Sequence, residues 1–230
     1  MPEMSFREVM GNMDWSYLLD LIISVIPAMI CITIHEMSHG IAAKLMGDNT
    51  AETQRRLSLN PLRHIDPAGL VMLVVFKVGW AKPVPVNMMR FRNPRAGMAI
   101  TAVAGPVSNF LLAALLLFIR GLLTYPLLEP GWGATVLDLF DTTAYLSVCL
   151  GLFNLIPIPP MDGSKVLFSF LPDELYIKLM RYERYGMIVI IIVMISGIVD
   201  GPLYTAAFFA FEKLFLLAQA GFDIVTKIFL

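Results

Sequence analysis

The chain has 230 residues, of which 57% are apolar, 15% charged and 11% aromatic, with a mean hydropathy of +0.73. Soluble domains carry about 25% charged residues, so this composition excludes a soluble globule, a disordered regulator and a coiled coil. The formal charge of -1, from 17 Lys and Arg against 18 Asp and Glu, leaves no cationic surplus to displace counterions from a phosphate backbone, which excludes nucleic acid as a partner.

The first element is an apolar run over residues 17–34, interrupted only by Asp20 and Pro27, that continues without a turn signal into His35. It predicts a membrane span over about 17–46. The acidic segment before it and the lack of a small-residue cleavage site argue against a signal peptide. Near its far end stands His35-Glu36-Met37-Ser38-His39. Residues four apart share a helix face, so both imidazoles can hold one Zn²⁺ while Glu36, turned to the side, reaches the metal-bound water. The 14 residues from Leu21 to His35 make roughly 21 Å of helix, deep in a hydrocarbon core of about 30 Å. Ionisable groups at that depth are expensive and mark function or pairing. Cys31, one turn earlier, reads as a packing residue. With Cys149 it makes two cysteines, too few for a disulfide scaffold.

Residues 44–95 carry nine Lys and Arg and residues 165–184 carry four more, whereas 120–138 carry one. The positive-inside rule places both basic segments in the cytoplasm and the N-terminus outside. Within the first of them His64 reads as a loop cap paired with Asp66. Residues 69–76 (GLVMLVVF) are apolar, short and Val-rich, which predicts a strand that pairs with 81–86 as a hairpin in a membrane-associated β region over 50–95. The exposed edge of such a strand would accept an unwound substrate by strand addition.

Residues 96–119 contain no charge and predict a second span over about 96–120. Asn109, one turn beyond Gly105-Pro106, either bonds a neighbouring helix or lines a polar cavity. A third span is predicted over about 138–157; the uncharged run from Thr142 to Met161 is broken in its last third by Pro157, Pro159 and Pro160, so it starts as a helix and ends unwound, able to turn Asp162 inward. Catalytic zinc needs a third protein ligand and an open fourth position. Asp162 leads, with Glu183, Glu212 and Cys31 as competing ligands and a plain Asp-Gly turn as the alternative. Two further segments, 182–199 and 203–222, follow. The last carries Glu212 and Lys213 at its middle and either spans or lies at the interface.

Taken together, the H-E-x-x-H on a membrane helix, Asn109 in Ala104-Gly-Pro-Val-Ser-Asn109-Phe, and the Asn154…Pro157…Asp162-Gly163 stretch resemble the site-2 protease family of intramembrane zinc metalloproteases, over roughly residues 18–198. The resemblance implies His35, His39 and Asp162 as ligands of one Zn²⁺ per chain and Glu36 as the catalytic carboxylate. It also implies a three-helix catalytic core and substrates that are themselves membrane-spanning segments. For Asn154 and Asn109 it suggests binding the unwound substrate or stabilising an oxyanion, with a tie across its own broken helix as the alternative for Asn154. Met161 stands where the family's L-D-G has Leu, and no PDZ or CBS domain is present, which suggests the compact form found in prokaryotic plasma membranes.

The expected architecture is an all-α polytopic membrane protein of about five helices around a three-helix core, with a small β-hairpin, forming one protease domain over 1–230. The expected chemistry is hydrolysis of peptide bonds in or near transmembrane segments, in which a zinc-activated water attacks and Glu36 carries its proton to the leaving amine. A membrane zincin of another type with a distant Glu ligand, a membrane metal-binding or transport protein, and an inactive scaffold are the alternatives.

Overall fold

The computed structural model describes residues 15–67, 69, 81–127 and 131–229. Among them run six main helices, numbered here in chain order: α1 (Trp15–Met46), α2 (Pro94–Thr124), α3 (Gly133–Asn154), α4 (Asp162–Ser169), α5 (Asp173–Ser196) and α6 (Asp200–Phe229). Their ends follow local chemistry. Asn93 caps α2 by accepting the N–H of Ala96 at 3.2 Å, and Pro94 supplies a first-turn residue that needs no donor. Gly197 closes α5 in the left-handed region at φ 67°.

Helix α2 is the centre of the bundle, packing against α1, α3, α6 and α4. A core of Ala113, Leu117, Ala144, Val148, Ala207 and Ala218 joins α2, α3 and α6. Small residues let the backbones close up, as membrane helices favour when no hydrophobic effect drives them together. At Gly121 a Cβ would lie 2.0 Å from the Ala218 carbonyl oxygen of α6. Large apolar side chains instead face outward, among them Ile30, Ile41, Leu111, Leu115 and Ile192, which is the inverse of a water-soluble bundle and suits lipid. Among the described residues three helical stretches are long and apolar enough to cross a membrane: Val25–Met46, Pro94–Thr124 and Gly133–Asn154.

Some helix bounds differ from those expected, and the expected hairpin falls largely outside the described residues. The third helix runs Gly133–Asn154 where 138–157 was expected, and within it Asp141 pairs with Arg120 of α2 at 3.1 Å. The helix stops before Pro157. Among the described residues there is also no strand. The stretch 70–76 lies outside them, and the expected partner 81–86 makes one isolated antiparallel bridge, Ile65 to Ala81. Pro83 and Pro85 remove the N–H groups a ladder would need. The later helices run longer than expected, as Asp173–Ser196 and Asp200–Phe229.

The connection after α1 is fixed by Asp48, which is fully buried. Its carboxylate accepts the Thr50 N–H at 2.9 Å, the Thr50 hydroxyl, and the Asn87 N–H at 2.6 Å, tying the end of α1 to the chain leading into α2. Burial alone would push this carboxyl up. The Thr50 hydroxyl, the two N–H groups and the Arg90 charge outweigh it and hold the group below its ordinary value of 3.8. A depressed folded pKa means that the stabilisation is complete above the unfolded value and is lost as pH falls through the folded one. Asp48→Ala is expected to cost about 1–3 kcal/mol at pH 7, and its deficit against wild type in thermal unfolding should shrink below about pH 4.

Candidate metal centre

His35 and His39 project from one face of α1, ten and fourteen residues into the apolar stretch that starts at Val25. Asp162 reaches them from the first turn of α4. All three are buried, at 5%, 8% and 7% exposure. Their facing atoms form a tight triangle: His35 Nε2 to His39 Nε2 is 3.0 Å, and Asp162 Oδ2 lies 3.2 Å from His35 Nε2 and 3.0 Å from His39 Nε2. Among the described residues this is the one cluster of His, Cys, Asp and Glu with ligand atoms close enough to share an ion.

The donor set fits zinc. Zn–N and Zn–O bonds of about 2.0–2.1 Å in a tetrahedron put ligand atoms about 3.3 Å apart, close to the observed edges. Three electron-rich atoms at that spacing repel one another unless a cation sits between them. Asp162 Oδ2 is buried and accepts no hydrogen bond, which leaves its lone pairs directed at the shared point. Oδ1 faces Lys165 Nζ at 3.5 Å. The fourth tetrahedral position carries no His, Cys, Asp or Glu among the described residues.

The elements around the triangle hold it in place. His39 Nδ1 lies 2.7 Å from the Thr101 carbonyl of α2. A carbonyl only accepts, so Nδ1 carries the proton and Nε2 presents its lone pair, the outer-sphere arrangement common at zinc histidines. Gly105 makes the approach of α1 and α2 possible: a Cβ there would lie 2.5 Å from the His39 ring and 2.6 Å from the His35 ring. Gly163 does the same for Asp162, since a Cβ would sit 2.2 Å from the Leu155 carbonyl at the end of α3. Glu36 shares the turn with His35, and its Oε2 accepts the Val84 N–H at 2.8 Å. Its Oε1 has no partner among the described residues.

Other expected residues fall elsewhere. Asn109 is fully buried, and its amide nitrogen faces His35 Nδ1 at 3.2 Å. Asn154 Nδ2 donates to the Leu150 carbonyl of its own helix at 2.9 Å. His64 is buried beside the loop, with Nε2 2.8 Å from the Ser58 carbonyl, and takes no part in the triangle. Cys31 is buried against the Thr143 carbonyl, and Glu212 is exposed on α6. The side chain of Glu183 lies outside the described residues. Thr101, Gly105, Gly163 and the Val84 N–H gave no signal of their own in sequence, because each acts through its backbone or through a missing side chain. The four-residue spacing of Gly105 and Asn109 on one α2 face was the available hint.

Comparison with known proteins places these features in a family. The sequence pattern of peptidase family M50 matches residues 124–199, which include Asp162. A Bacillus subtilis (strain 168) protein named as a zinc metalloprotease, YwhC, is 35% identical over 207 residues, covering 89% of this chain and 90% of YwhC. A Mycolicibacterium smegmatis protein also named as a zinc metalloprotease, Rip2, is 26% identical over 86% of this chain and 76% of its own length. The Bacillus subtilis regulator of sigma-W protease, RasP, is 38% identical over 56 residues, 24% of this chain and 13% of RasP. No solved structure matches. With a relative this similar along nearly the whole of both chains, the protein belongs to peptidase family M50, the site-2 protease family that its motifs resemble.

Proposed function

We propose that this protein is a zinc-dependent intramembrane endopeptidase that hydrolyses peptide bonds in or near the transmembrane segments of other membrane proteins. The observation that carries this reading is the 3.0–3.2 Å triangle of His35, His39 and Asp162, buried against a helix apolar enough to span a membrane. These three residues hold the ion. Zinc, when bound, supplies a Lewis acid that polarises a carbonyl and makes a water acidic near neutral pH. Glu36 is the proton carrier: Oε2 is anchored on the Val84 N–H, and Oε1 takes the proton of the attacking water and delivers it to the leaving amine. A substrate helix shields its carbonyls with its own hydrogen bonds, so the segment cleaved is one that unwinds readily. The whole chain is one protease domain, with α5 and α6 completing a set of about five membrane helices. The N-terminus lies outside a prokaryotic plasma membrane and the basic connection after α1 lies inside. Asn154, with its amide oxygen open to a visitor, holds the unwound substrate backbone.

Asn109 sets the tautomer of His35. Its Oδ1 is buried and lacks a partner, whereas its Nδ2 faces His35 Nδ1. Turning the amide end for end lets Oδ1 accept Nδ1–H, and His35 Nε2 is then left unprotonated and aimed at Asp162, matching the state that Thr101 imposes on His39. Asn109→Asp keeps an acceptor and is expected to retain zinc. Asn109→Leu is expected to weaken zinc binding about 10–100-fold in chelator competition; unchanged affinity would contradict the role.

The reading is tested with the purified chain and a transmembrane reporter peptide in bilayer discs. Cleavage should stop on treatment with a chelator and return on adding one equivalent of Zn²⁺. Cleavage that persists after the metal has been removed would overturn it.

A further inference from the structure

A second feature stands apart from the metal centre. Arg55, Arg56, Arg63 and Lys82 converge with Leu62 and Ile65 on a cavity of about 360 Å³ in the connection after α1. Every charge lining it is positive. Among the described residues, none of the four has a carboxylate within 4 Å. The acids nearest in sequence are already engaged, Glu52 with Lys44 at 2.7 Å and Asp66 in an interaction of its own.

The cluster is built as well as charged. Arg56 Nη2 donates to the carbonyls of Lys82 and Pro83 at 2.7 and 3.2 Å, and Arg63 Nη1 donates to the Arg55 carbonyl at 2.6 Å. These bonds fix two guanidinium groups without neutralising them. Arg56 Nε is buried with no acceptor. Arg55 holds a left-handed backbone, φ 54°, a conformation that an ordinary side chain adopts only under constraint. Like charges held this close are unfavourable until an anion joins them, and planar guanidinium forks match phosphate oxygens.

The neighbouring surface selects the kind of anion. The turn that supplies Arg63, Pro61–Arg63, also borders an apolar groove of about 320 Å³ formed by Ile26, Met29, Ile30 and Ile34 of α1 with Leu59 and Pro61. Leu59 and Leu62 are 65% and 71% exposed. A water-soluble anion has no use for an apolar trough beside its charge site, whereas an amphiphile fills both. We propose that this region binds an anionic phospholipid, its phosphate headgroup in the Arg55/Arg56/Arg63/Lys82 cavity and its acyl chain along the Ile26–Ile34 face of α1. The proposal rests on the reading that α1 crosses a bilayer. Such a lipid would brace the connection that carries Val84, the anchor of Glu36.

The test uses the full chain in bilayer discs with spin-labelled phosphatidylglycerol and phosphatidylcholine, comparing wild type with the double variant Arg55→Gln/Lys82→Gln. Among the described residues neither side chain makes a hydrogen bond or ion pair, and neither belongs to the metal centre. The wild type is expected to immobilise phosphatidylglycerol in preference to phosphatidylcholine, with roughly fivefold of selectivity lost for each cation removed, and inorganic phosphate at millimolar levels should leave the preference intact. Equal immobilisation of the two lipids by wild type, or a preference kept by the double variant, would overturn the proposal. Loss of the preference on adding inorganic phosphate would overturn it in favour of a soluble anion. The readout needs neither metal nor substrate. Lipid selectivity without metal-dependent cleavage would therefore sink the protease reading alone, and the reverse would sink the lipid site alone.

Discussion

Glu36→Gln is expected to lose about 10²–10⁴-fold in cleavage rate while keeping its zinc. Glutamine has the same shape as glutamate and retains an oxygen to accept the Val84 N–H, so the turn bearing His35 and His39 stays in place. What disappears is the ability to accept a proton from water and hand it to the leaving amine. The two readouts must therefore separate: metal content per chain unchanged, turnover of a transmembrane peptide nearly abolished. A variant within a few-fold of wild type would show that the proton travels by another group. A variant that loses metal would show that Glu36 is holding the site together.

Asp162→Ala has the opposite signature, with metal and activity lost together. The carboxylate supplies one corner of the triangle and its only anionic donor, so its removal should weaken zinc by more than the 10–100-fold typical of outer-sphere partners. The two histidines would remain at 3.0 Å with no charge to offset the ion. Glu212→Ala, on the exposed face of α6, is the matched control and should keep both properties. Elemental analysis of folded, monodisperse protein reads the difference directly. Zinc retained by Asp162→Ala and lost from Glu212→Ala would transfer the third ligand to the distant glutamate.

How much was readable before the fold was seen differs by residue. His35 and His39 were legible because a four-residue spacing on a helix can mean only one face, and α1 is helical throughout. Asp162 was legible as a candidate because three prolines end the third span before it. That it meets the histidines depends on α4 packing against α2, a tertiary fact. The helix of the third span begins at Gly133, before the expected 138, and the pairing of Asp141 with Arg120 from another helix is a tertiary fact. The residues 81–86 stand in sequence as one arm of a hairpin; Pro83 and Pro85 bring no N–H groups to a ladder, and the Val84 N–H between them serves Glu36. Asn109 carries two readings in sequence, and its approach to His35 Nδ1 at 3.2 Å depends on the packing of α1 against α2. Contributions made by a carbonyl, as at Thr101, or by the absence of a Cβ, as at Gly105 and Gly163, leave no trace in residue type.

The central claim is that the buried triangle serves hydrolysis within a membrane segment. Its most direct test is to incubate the purified chain, in bilayer discs, with a single-span peptide whose transmembrane helix contains a Gly-Pro break, and to identify the products by mass. The account predicts new termini inside the apolar segment, formed by wild type, absent with Glu36→Gln and absent after chelation. Cuts confined to the water-exposed flanks, or termini that appear equally with Glu36→Gln, would contradict it.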